Sequence, residues 1–380
     1  MRVLNVVSVL SGREGGGNAE RTVQLSRVLA ESGTACTVLT LDIGDLRARL
    51  GQLCGIRLVV APCLNARFQI PWPAWRLVRE LVQQADVIHL MGYWSLLGVM
   101  VQAAARKAGV PYVICPAGAL PLFGRSRWAK RIYNIVVGQN LIARARGWIA
   151  VTKAELPHFE AYGIPRSRVT VISNGVWESD FATSDGEVFF STTGIPDGPF
   201  VLFMGRLNPI KGPDLLLEAF GRLADAFPDY RLVFAGPDEG MQAGLQARIR
   251  VLGLTDRVFF CGFVSGGLKV AAYRAACLLV VPSRSEAMSI VVVEGGICGT
   301  PVLMTDQCGL DDLAEINPGL IVPASIDGLT AGLRLALESP GRLADWGEKW
   351  RSMVRQRFLW RDIAQQFKAL LEEVAQQKEA

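Results

Sequence analysis

Short apolar runs alternate along the chain with longer stretches in which apolar residues recur at helical spacing. In the first half, the runs predict strands at residues 3–9, 36–41, 56–60, 87–90, 112–115, 148–151 and 169–172. Helical patterns lie between most of them, for example at residues 19–31, 75–84 and 96–107. Strands that are apolar throughout and are separated by amphipathic helices are typical of a parallel sheet covered on both faces.

The second half repeats this scheme. Strands are predicted at residues 200–204, 231–235, 258–261, 278–281 and 302–305, a helix begins near Pro213, and the chain is helical from Ser339 to its end. Between the halves, residues 176–199 are rich in Gly, Ser, Thr, Asp and Pro, as interdomain linkers are. We therefore predict an α/β protein with two domains, residues 1–178 and 179–357, and a hinge within residues 178–198.

Composition narrows the class of protein. The eight cysteines are scattered singly and there are only two histidines, so we expect free thiols and no zinc cluster. Residues 87–105 carry no formal charge and approach the length of a membrane span, but the run breaks near Gly92 into a strand and a helix. The first apolar run predicts a strand that enters a glycine loop, and no signal peptide.

The net charge of +5 conceals an asymmetry between the halves. Residues 1–185 hold 21 Lys and Arg against 12 Asp and Glu, whereas residues 186–380 hold 19 against 23. The excess is densest in residues 125–146, where basic side chains flank apolar and aromatic ones: Arg125, Arg127, Lys130, Arg131, Arg144 and Arg146. Such a helix can lie against anionic lipid headgroups or be an ordinary solvated face, and both interpretations stay open. Because no recognised nucleic-acid motif accompanies it, we expect no nucleic-acid partner.

Two glutamates are separated by a short, mostly apolar segment in EAMSIVVVE. This spacing suits a loop that carries Glu286 into a cleft and a helix whose first turn carries Glu294. Packing does not explain it, because a core holds Glu only with partners and a solvent face needs no such spacing. Backbone N–H groups at the helix N-terminus are then free to hold an anion.

Two cations follow the predicted strand 200–204. Arg206 and Lys211 lie on the loop between Gly205 and Gly212, at the carboxyl end of the strand, which is where open α/β sheets bind ligands. A guanidinium grips phosphate oxygens in a bidentate way, and an ammonium adds a mobile point charge. Together they can neutralise a diphosphate, so we expect neither a metal ion nor another cofactor.

Two features of the first half also point to a ligand. The glycine loop Gly15–Gly17 follows the first strand and permits close backbone approach, although a simple tight turn is the alternative. It lacks the G-x-G-x-x-G order of dinucleotide-binding proteins. His89 ends its predicted strand at a cleft edge, where it could orient substrate hydroxyls or serve as a core residue.

In order along nearly the whole chain, the segments GGGNAERTVQLSRVLAESG, DVIHLMGYW, VPYVICPAGALP, RVTVISNGV, GRLNPIKG, FAGPDEG, FCGFV, VPSRSEAMSIVVVE and GTPVLMTD resemble the family 4 glycosyltransferases. These are retaining enzymes of the GT-B fold. The resemblance implies two facing Rossmann-like domains with parallel sheets. The first domain would bind the acceptor and the second the nucleotide sugar. A C-terminal helix within residues 358–380 would pack back onto the first domain.

The resemblance also implies roles for individual residues. Glu286 lies close to the donor sugar, and with Arg206 and Lys211 it makes up the predicted catalytic set, in which the two cations stabilise charge on the leaving diphosphate. Glu294 accepts hydrogen bonds from the ribose hydroxyls. The remaining donor contacts are expected from glycines and backbone groups at Gly16, Gly17, Gly205, Phe263, Val264, Met288, Ser289 and Ile290. The acceptor-side or sugar-orienting residues are His89, Ala117 and Gly118.

The chain departs from the family at two places. Ala287, Met288 and Ser289 replace the usual glycine-aromatic-glycine stretch, which preserves backbone contacts but leaves the donor sugar open. Many relatives carry PHG where this chain has Ala117 before Gly118, and the change removes a polar contact to the sugar. In the family the leaving phosphate itself takes the acceptor's proton, so we expect activity to persist.

We therefore predict a metal-independent retaining hexosyltransferase. It would move a sugar from a nucleotide-diphosphate sugar to a glycan or lipid-linked acceptor in cell-envelope polysaccharide synthesis. We expect it in the cytoplasm, peripherally at the inner membrane. Two alternatives stay open: a nucleotide-sugar epimerase of the same architecture, which needs further acid–base residues, and a non-catalytic partner subunit, which Ala117 makes conceivable.

Overall fold

The computed structural model describes residues 1–12, 14–121, 127–182 and 186–377, without the side chains of Ala48 and Arg127. The chain forms two compact units, Met1–Asn174 with Trp360–Ala380, and Gly175–Leu359. The units therefore divide after Asn174 and after Leu359, where the sequence places the boundaries after residues 178 and 357.

The first unit is built on a parallel sheet and a small hairpin. Its strands are β1 (Arg2–Val7), β2 (Ala35–Leu41), β3 (Arg57–Ala61), β4 (Cys63–Asn65), β5 (Ile70–Pro71), β6 (Val87–Met91), β7 (Tyr112–Cys115), β8 (Gly147–Ala150) and β9 (Val169–Val171). Seven of them form the sheet in the order β3-β2-β1-β6-β7-β8-β9, with every neighbouring pair parallel. The antiparallel hairpin of β4 and β5 lies outside it.

Helices connect these strands. They are α1 (Gly16–Glu31), α2 (Arg47–Leu50), α3 (Trp75–Gln83), α4 (Leu96–Ala108), α5 (Arg127–Tyr133), a π-helical segment (Asn134–Gly138), α6 (Gln139–Ala143) and α7 (Leu156–Glu160). Short 3-10 turns occur at Gly51–Leu53, Lys153–Glu155 and Arg166–Arg168. α4 begins where the Ser95 hydroxyl accepts the N–H of Gly98 at 3.0 Å, and ends at Gly109, whose φ is +65°. Residues 87–105 thus form the predicted strand and helix, and within the described ranges no helix has the length and apolarity to cross a bilayer.

The second unit has one parallel sheet. Its strands are β10 (Phe200–Met204), β11 (Arg231–Ala235), β12 (Val258–Gly262), β13 (Leu278–Val281), β14 (Val302–Thr305) and β15 (Ile321–Val322). They are ordered β12-β11-β10-β13-β14-β15. The helices are α8 (Glu187–Thr193), α9 (Pro213–Leu223), α10 (Gln242–Val251), α11 (Gly266–Ala275), α12 (Ile290–Cys298), α13 (Ile326–Leu337) and α14 (Pro340–Arg357), with 3-10 turns at Glu178–Phe181, Asp311–Glu315 and Pro318–Leu320.

The last helix, α15 (Trp360–Gln376), belongs to the first unit, where it packs against α1 and β6. The sequence predicts unbroken helix from Ser339, but Phe358 and Leu359 separate α14 from α15. α1 starts at Gly16 and so takes in two of the glycines that the sequence assigns to a loop. All the strands predicted from apolar runs are present. β4, β5 and β15, which have two or three residues each, are missing from the prediction.

Strand order decides where a ligand can bind in the second unit. The chain starts at the central strand β10, builds β11 and β12 on one side, and returns to β13 on the other side. The loops that follow β10 and β13 therefore leave the same edge of the sheet in opposite directions. Open α/β sheets bind ligands in the crevice at such a switch point.

Candidate functional site

The loops after β10 and β13 bring Lys211 and Glu286 together. The Lys211 ammonium donates to Oε2 of Glu286 at 2.7 Å, and the side chains are 22% and 10% exposed. The Ser283 hydroxyl donates to the other carboxylate oxygen. The backbone N–H of Glu286 bonds the carbonyl of Gln307 at 2.9 Å, which ties this loop to the one after β14. Two of the three predicted catalytic residues are therefore in direct contact.

Arg284 joins the two loops from the side. Its guanidinium donates to both oxygens of Asp214, at 2.8 and 2.6 Å, and to the carbonyl of Pro209 at 2.7 Å. Its backbone N–H donates to the carbonyl of Ile210 at 2.7 Å. Because a bidentate pair fixes geometry as well as distance, Arg284 holds the Lys211 loop in place. Sequence reasoning missed Arg284 and Asp214, although both lie within three residues of a predicted catalytic residue.

Glycine permits the close approach of these loops. Gly212 has a φ of +68°, and a Cβ there would lie 2.1 Å from the carbonyl oxygen of Pro282. Gly309 has a φ of +71°, and its Cβ would lie 2.0 Å from the carbonyl oxygen of Ala287. Both contacts are to backbone atoms, which cannot turn aside as a side chain can, so any larger residue would push the loops apart.

Arg206, the third predicted catalytic residue, follows Gly205 on the same loop as Lys211. Its guanidinium donates to Oε1 of Glu239 at 2.8 Å, and the Asn208 amide donates to Oε2 at 2.7 Å. The Asn208 side-chain oxygen in turn accepts the N–H of Lys211 at 3.0 Å. Sequence reasoning missed Glu239, which lies in the loop after β11 at the FAGPDEG segment.

Glu294 lies in the second turn of α12, so the prediction that it lies in the first turn is wrong. α12 begins at Ile290, directly after Ser289. The Glu294 carboxylate, 13% exposed, accepts the Lys269 ammonium at 2.7 Å and the Tyr273 hydroxyl at 2.8 Å. Burial, and then the charge of Glu294, raise the pKa of Tyr273 well above its ordinary value, so its hydroxyl remains a donor.

The N-terminus of α12 has no side-chain cap. Ser289 occupies the cap position and is 1% exposed, and its hydroxyl has no hydrogen-bond partner among the residues that the structure describes. Its N–H donates to the carbonyl of Cys308 at 2.9 Å. Met288 is buried, so only its backbone could face a ligand. The first N–H groups of α12 thus have no capping side chain. An anion site at a helix N-terminus needs N–H donors of this kind.

Phe263 and Val264 follow β12 and differ in exposure. The Phe263 ring is 65% exposed, whereas Val264 is buried in the core. Of the two predicted donor-contact residues, only Phe263 therefore presents its side chain to solvent.

In the first unit, Gly16 and Gly17 form the start of α1, and Gly16 has a φ of +55°. Ala117 and Gly118 have φ values of +49° and +77°, and the left-handed region is unfavourable for alanine. The N–H of Gly118 donates at 2.9 Å to Glu155, a buried carboxylate that also accepts the N–H of Val151 at 3.0 Å. Burial raises the pKa of Glu155 despite these two N–H donors. Sequence reasoning missed Glu155, which fixes the turn at Ala117.

The prediction that His89 ends its strand at a cleft edge is wrong. His89 is the middle residue of β6 and is fully buried, with Nδ1 3.1 Å from the side-chain oxygen of Asn5 and the ring 4.9 Å from that of Phe367. Burial, and then the charge of Arg21, lower the pKa of His89 to about 3. The strand runs on to Met91, so His89 packs in the core as a neutral ring.

The predicted basic segment falls partly outside the described residues, which exclude Arg125 and the side chain of Arg127. The described part presents an exposed apolar stripe at helical spacing, with exposures of 53–71%: Trp128, Ile132, Ile135 and Val136. Lys130 lies 5.3 Å from the ring of Trp94. Arg131, Arg144 and Arg146 are exposed. We call the four apolar residues the α5 stripe.

Comparisons with known proteins identify the family of the chain. The family model described as Glycosyltransferase Family 4 matches residues 15–178, and the model described as Glycosyl transferases group 1 matches residues 186–353. A D-inositol 3-phosphate glycosyltransferase of Frankia alni is 30% identical over 90% of this chain and 88% of its own length. A 2-deoxystreptamine glucosyltransferase of Streptomyces kanamyceticus is 27% identical over 84% of this chain and 89% of its own length.

Solved structures confirm the predicted fold. The crystal structure of HepE from Anabaena in complex with UDP-glucose has a TM-score of 0.82 at 22% identity, covering 98% of this chain and 100% of that one. The glycosyltransferase WaaG has a TM-score of 0.72 at 19% identity, covering 97% and 99%. The two Rossmann-like units, each with its own parallel sheet, match the fold of these structures, and the sequence matches identify the family: the chain belongs to the family 4 glycosyltransferases of the GT-B fold, glycosyl transferases group 1.

Proposed function

We propose that this glycosyltransferase moves a hexosyl group from a nucleotide-diphosphate sugar to an acceptor hydroxyl, with retention of anomeric configuration and without a metal ion. One observation carries the proposal. Lys211 and Glu286 are in contact at 2.7 Å, with Arg206 on the same loop, at the edge of the sheet where the N-terminus of α12 lacks a side-chain cap.

The cations would do the work that a divalent metal does in other transferases. Arg206 and Lys211 neutralise the diphosphate, and the N–H groups at the start of α12 add further donors. Charge grows on the diphosphate as the bond to the sugar lengthens, so these groups stabilise the transition state more than the ground state.

Glu294 remains able to bind ribose although both of its oxygens already accept a hydrogen bond. Each carboxylate oxygen has two acceptor positions, so the hydrogen bonds from Lys269 and Tyr273 leave one position on each oxygen open to a ligand, as far as the described residues go. Their two contacts fix the carboxylate in one orientation. A ribose with two adjacent hydroxyls then meets two fixed acceptors.

In the transfer, the bond between the anomeric carbon and the phosphate oxygen breaks, and a bond from that carbon to the acceptor oxygen forms. The acceptor's proton passes to the leaving phosphate oxygen. This step needs no protein base, which fits a chain in which His89 is buried and paired with Asn5. An epimerase would need further acid–base groups beside the sugar.

The names of similar proteins suggest which donors to test first. The HepE structure contains UDP-glucose, and the Streptomyces kanamyceticus relative is named a glucosyltransferase. WaaG is described as involved in lipopolysaccharide biosynthesis, and the Frankia relative is named a D-inositol 3-phosphate glycosyltransferase. We propose a UDP-hexose as donor and a glycan or lipid-linked envelope acceptor.

A nucleotide screen tests the donor site. A nucleoside diphosphate at a hundred times its Kd is expected to stabilise the protein by about 2.7 kcal/mol, which a thermal shift detects. We expect UDP to act more strongly than GDP or ADP. Product analysis with UDP-, GDP- and ADP-hexoses then separates the alternatives. Transfer to an added acceptor or slow hydrolysis supports the proposal, isomerised nucleotide sugar indicates an epimerase, and binding without any turnover indicates a non-catalytic subunit.

The α5 stripe supports a second part of the proposal, a peripheral contact with anionic membrane. Exposed apolar side chains on α5 and the π-helical segment that follows it, with Lys130 and Arg131 nearby in the chain, match a helix that lies in the headgroup region. The location would bring the first unit close to a lipid-linked acceptor.

Liposome sedimentation tests this contact. We expect the protein to sediment with vesicles that contain anionic phospholipid at low salt, and to be released as salt screens the basic residues. Ile135→Gln should weaken sedimentation about tenfold, because it removes a 71% exposed apolar side chain from the stripe. Val251→Gln is the control, since Val251 is 74% exposed on the other unit. Equal sedimentation of the two variants, or none for the wild type, would contradict membrane contact.

A further inference from the structure

Four ion pairs lie on the elements that surround the proposed donor site. Each cation contacts a carboxylate at 2.6 to 2.8 Å: Lys211–Glu286, Lys269–Glu294, Arg284–Asp214 and Arg206–Glu239. The formal charges of the set cancel. The four cations are already neutralised by the four carboxylates, so an entering diphosphate meets no net positive charge in this set. Its affinity therefore depends on how readily one cation leaves its carboxylate.

The Arg206–Glu239 pair is the one that opens most readily. Its side chains are 42% and 39% exposed, whereas the carboxylates of Glu286 and Glu294 are 10% and 13% exposed. The guanidinium of Arg284 is also partly exposed, but three hydrogen bonds hold it. Arg206 contacts Glu239 through a single nitrogen. An exposed single-contact pair contributes little stability, and water can solvate both partners when it opens.

Glu239 stays in place when Arg206 turns away. The Asn208 amide donates to its second oxygen at 2.7 Å, and its own N–H donates to the carbonyl of Leu207 at 3.2 Å. Burial acts to raise the pKa of Glu239, but the Asn208 hydrogen bond and the charge of Arg206 outweigh it and hold the pKa below its usual value. Glu239 is therefore an anion at neutral pH.

We propose that Glu239 competes with the donor diphosphate for Arg206 and thereby sets the affinity of the site for nucleoside diphosphates. The proposal rests on the proposed function, which places the diphosphate on Arg206 and Lys211. A diphosphate can accept two parallel hydrogen bonds from the Arg206 guanidinium, whereas Glu239 accepts one. The diphosphate of a bound donor therefore displaces Glu239 from Arg206. After transfer, the Arg206–Glu239 ion pair forms again, which favours release of the nucleoside diphosphate.

Glu239→Gln tests the competition, because it removes the charge and keeps the shape and an acceptor oxygen. Calorimetry measures Kd for UDP, GDP, ADP and inorganic pyrophosphate at low and high salt. We expect the variant to bind UDP and pyrophosphate about fivefold more tightly at low salt, with the gain shrinking as salt screens the charge. The control is Glu315→Gln. Its partner Arg357 is 42% exposed, like Arg206, and lies on α14, so affinities should not change.

The outcomes distinguish a failure of the competition at Arg206 from a failure of the proposed donor site. If the wild type binds a nucleotide and Glu239→Gln binds it equally or more weakly, the competition is overturned while the donor site stands. A purely structural role for Glu239 would lower the melting temperature of the ligand-free variant and weaken binding at every salt concentration. If the wild type binds neither nucleotide nor pyrophosphate, the proposed function falls, and the competition with it.

Discussion

Replacing Lys211 by alanine is expected to lower turnover of the donor about a hundred- to a thousandfold. Removing one preorganised group that stabilises transition-state charge costs this much in other enzymes. Lys211 is held for that task by Glu286 at 2.7 Å and by the backbone bond from its own N–H to Asn208. Glu286→Ala should have an effect of similar size, because it frees the ammonium and removes the carboxylate predicted beside the donor sugar. Single-turnover rates with a UDP-hexose measure both.

Stability must be measured beside the rates. The Lys211–Glu286 pair is partly buried, so each single variant leaves one poorly solvated charge, and we expect a loss of about 1–2 kcal/mol without unfolding. Lys349→Ala is the matched control, since its ion pair with Asp345 spans one turn of α14 and both partners are more than half exposed. Wild-type rates in both Lys211→Ala and Glu286→Ala would refute the assignment of the site.

The fold was predictable from the sequence because its strands are buried on both faces. β10 and β13 are buried at every residue, so no polar position interrupts the apolar run that marks them. The same property caused the error at His89. In a strand that is buried throughout, nothing in the sequence tells the middle residue from the last one. β6 extends to Met91, and His89 lies two positions before that end, in the middle of the strand.

The site was predictable only where its residues follow strands directly. Arg206, Lys211 and Glu286 lie on loops after β10 and β13, and a parallel sheet brings such loops to one edge. Their partners lie on segments whose proximity depends on strand order, which apolar periodicity does not fix. Glu239, the partner of Arg206, follows β11. Lys269 and Tyr273, the partners of Glu294, are one turn apart on α11, where the i, i+4 spacing of two polar groups is a signal too common to use.

The turn at Ala117 shows that the sequence does not reveal backbone conformation. The sequence identifies the missing histidine, but it does not show that the alanine adopts a φ of +49° or that Glu155 holds the next N–H. A buried carboxylate at this point has the same effect on the backbone whichever residue precedes Gly118. We therefore expect the departure from the family to change a side-chain contact and to leave the turn intact.

Gly212→Ala is expected to lower the free energy of unfolding by about 3 kcal/mol and to reduce donor turnover with it. Two costs add: alanine in the left-handed region costs about 1 kcal/mol, and moving a backbone carbonyl out of a forbidden contact costs about 2 kcal/mol more. The contact is with Pro282, whose carbonyl oxygen would lie 2.1 Å from the new Cβ. Because Pro282 leads into the Glu286 loop, relief of the clash must separate Glu286 from Lys211.

Gly253→Ala separates the cost of the left-handed backbone from the cost of the clash with Pro282. Gly253 has a φ of +69°, against +68° at Gly212, but a Cβ there would meet nothing within 4 Å. It belongs to the same unit, so both variants report on the same unfolding transition in urea. We expect Gly253→Ala to lose about 1 kcal/mol and to keep its turnover. If the two variants lose equal stability, the clash with Pro282 is relieved at no cost. If Gly212→Ala also keeps its turnover, the approach of the two loops is not what places Lys211 on Glu286.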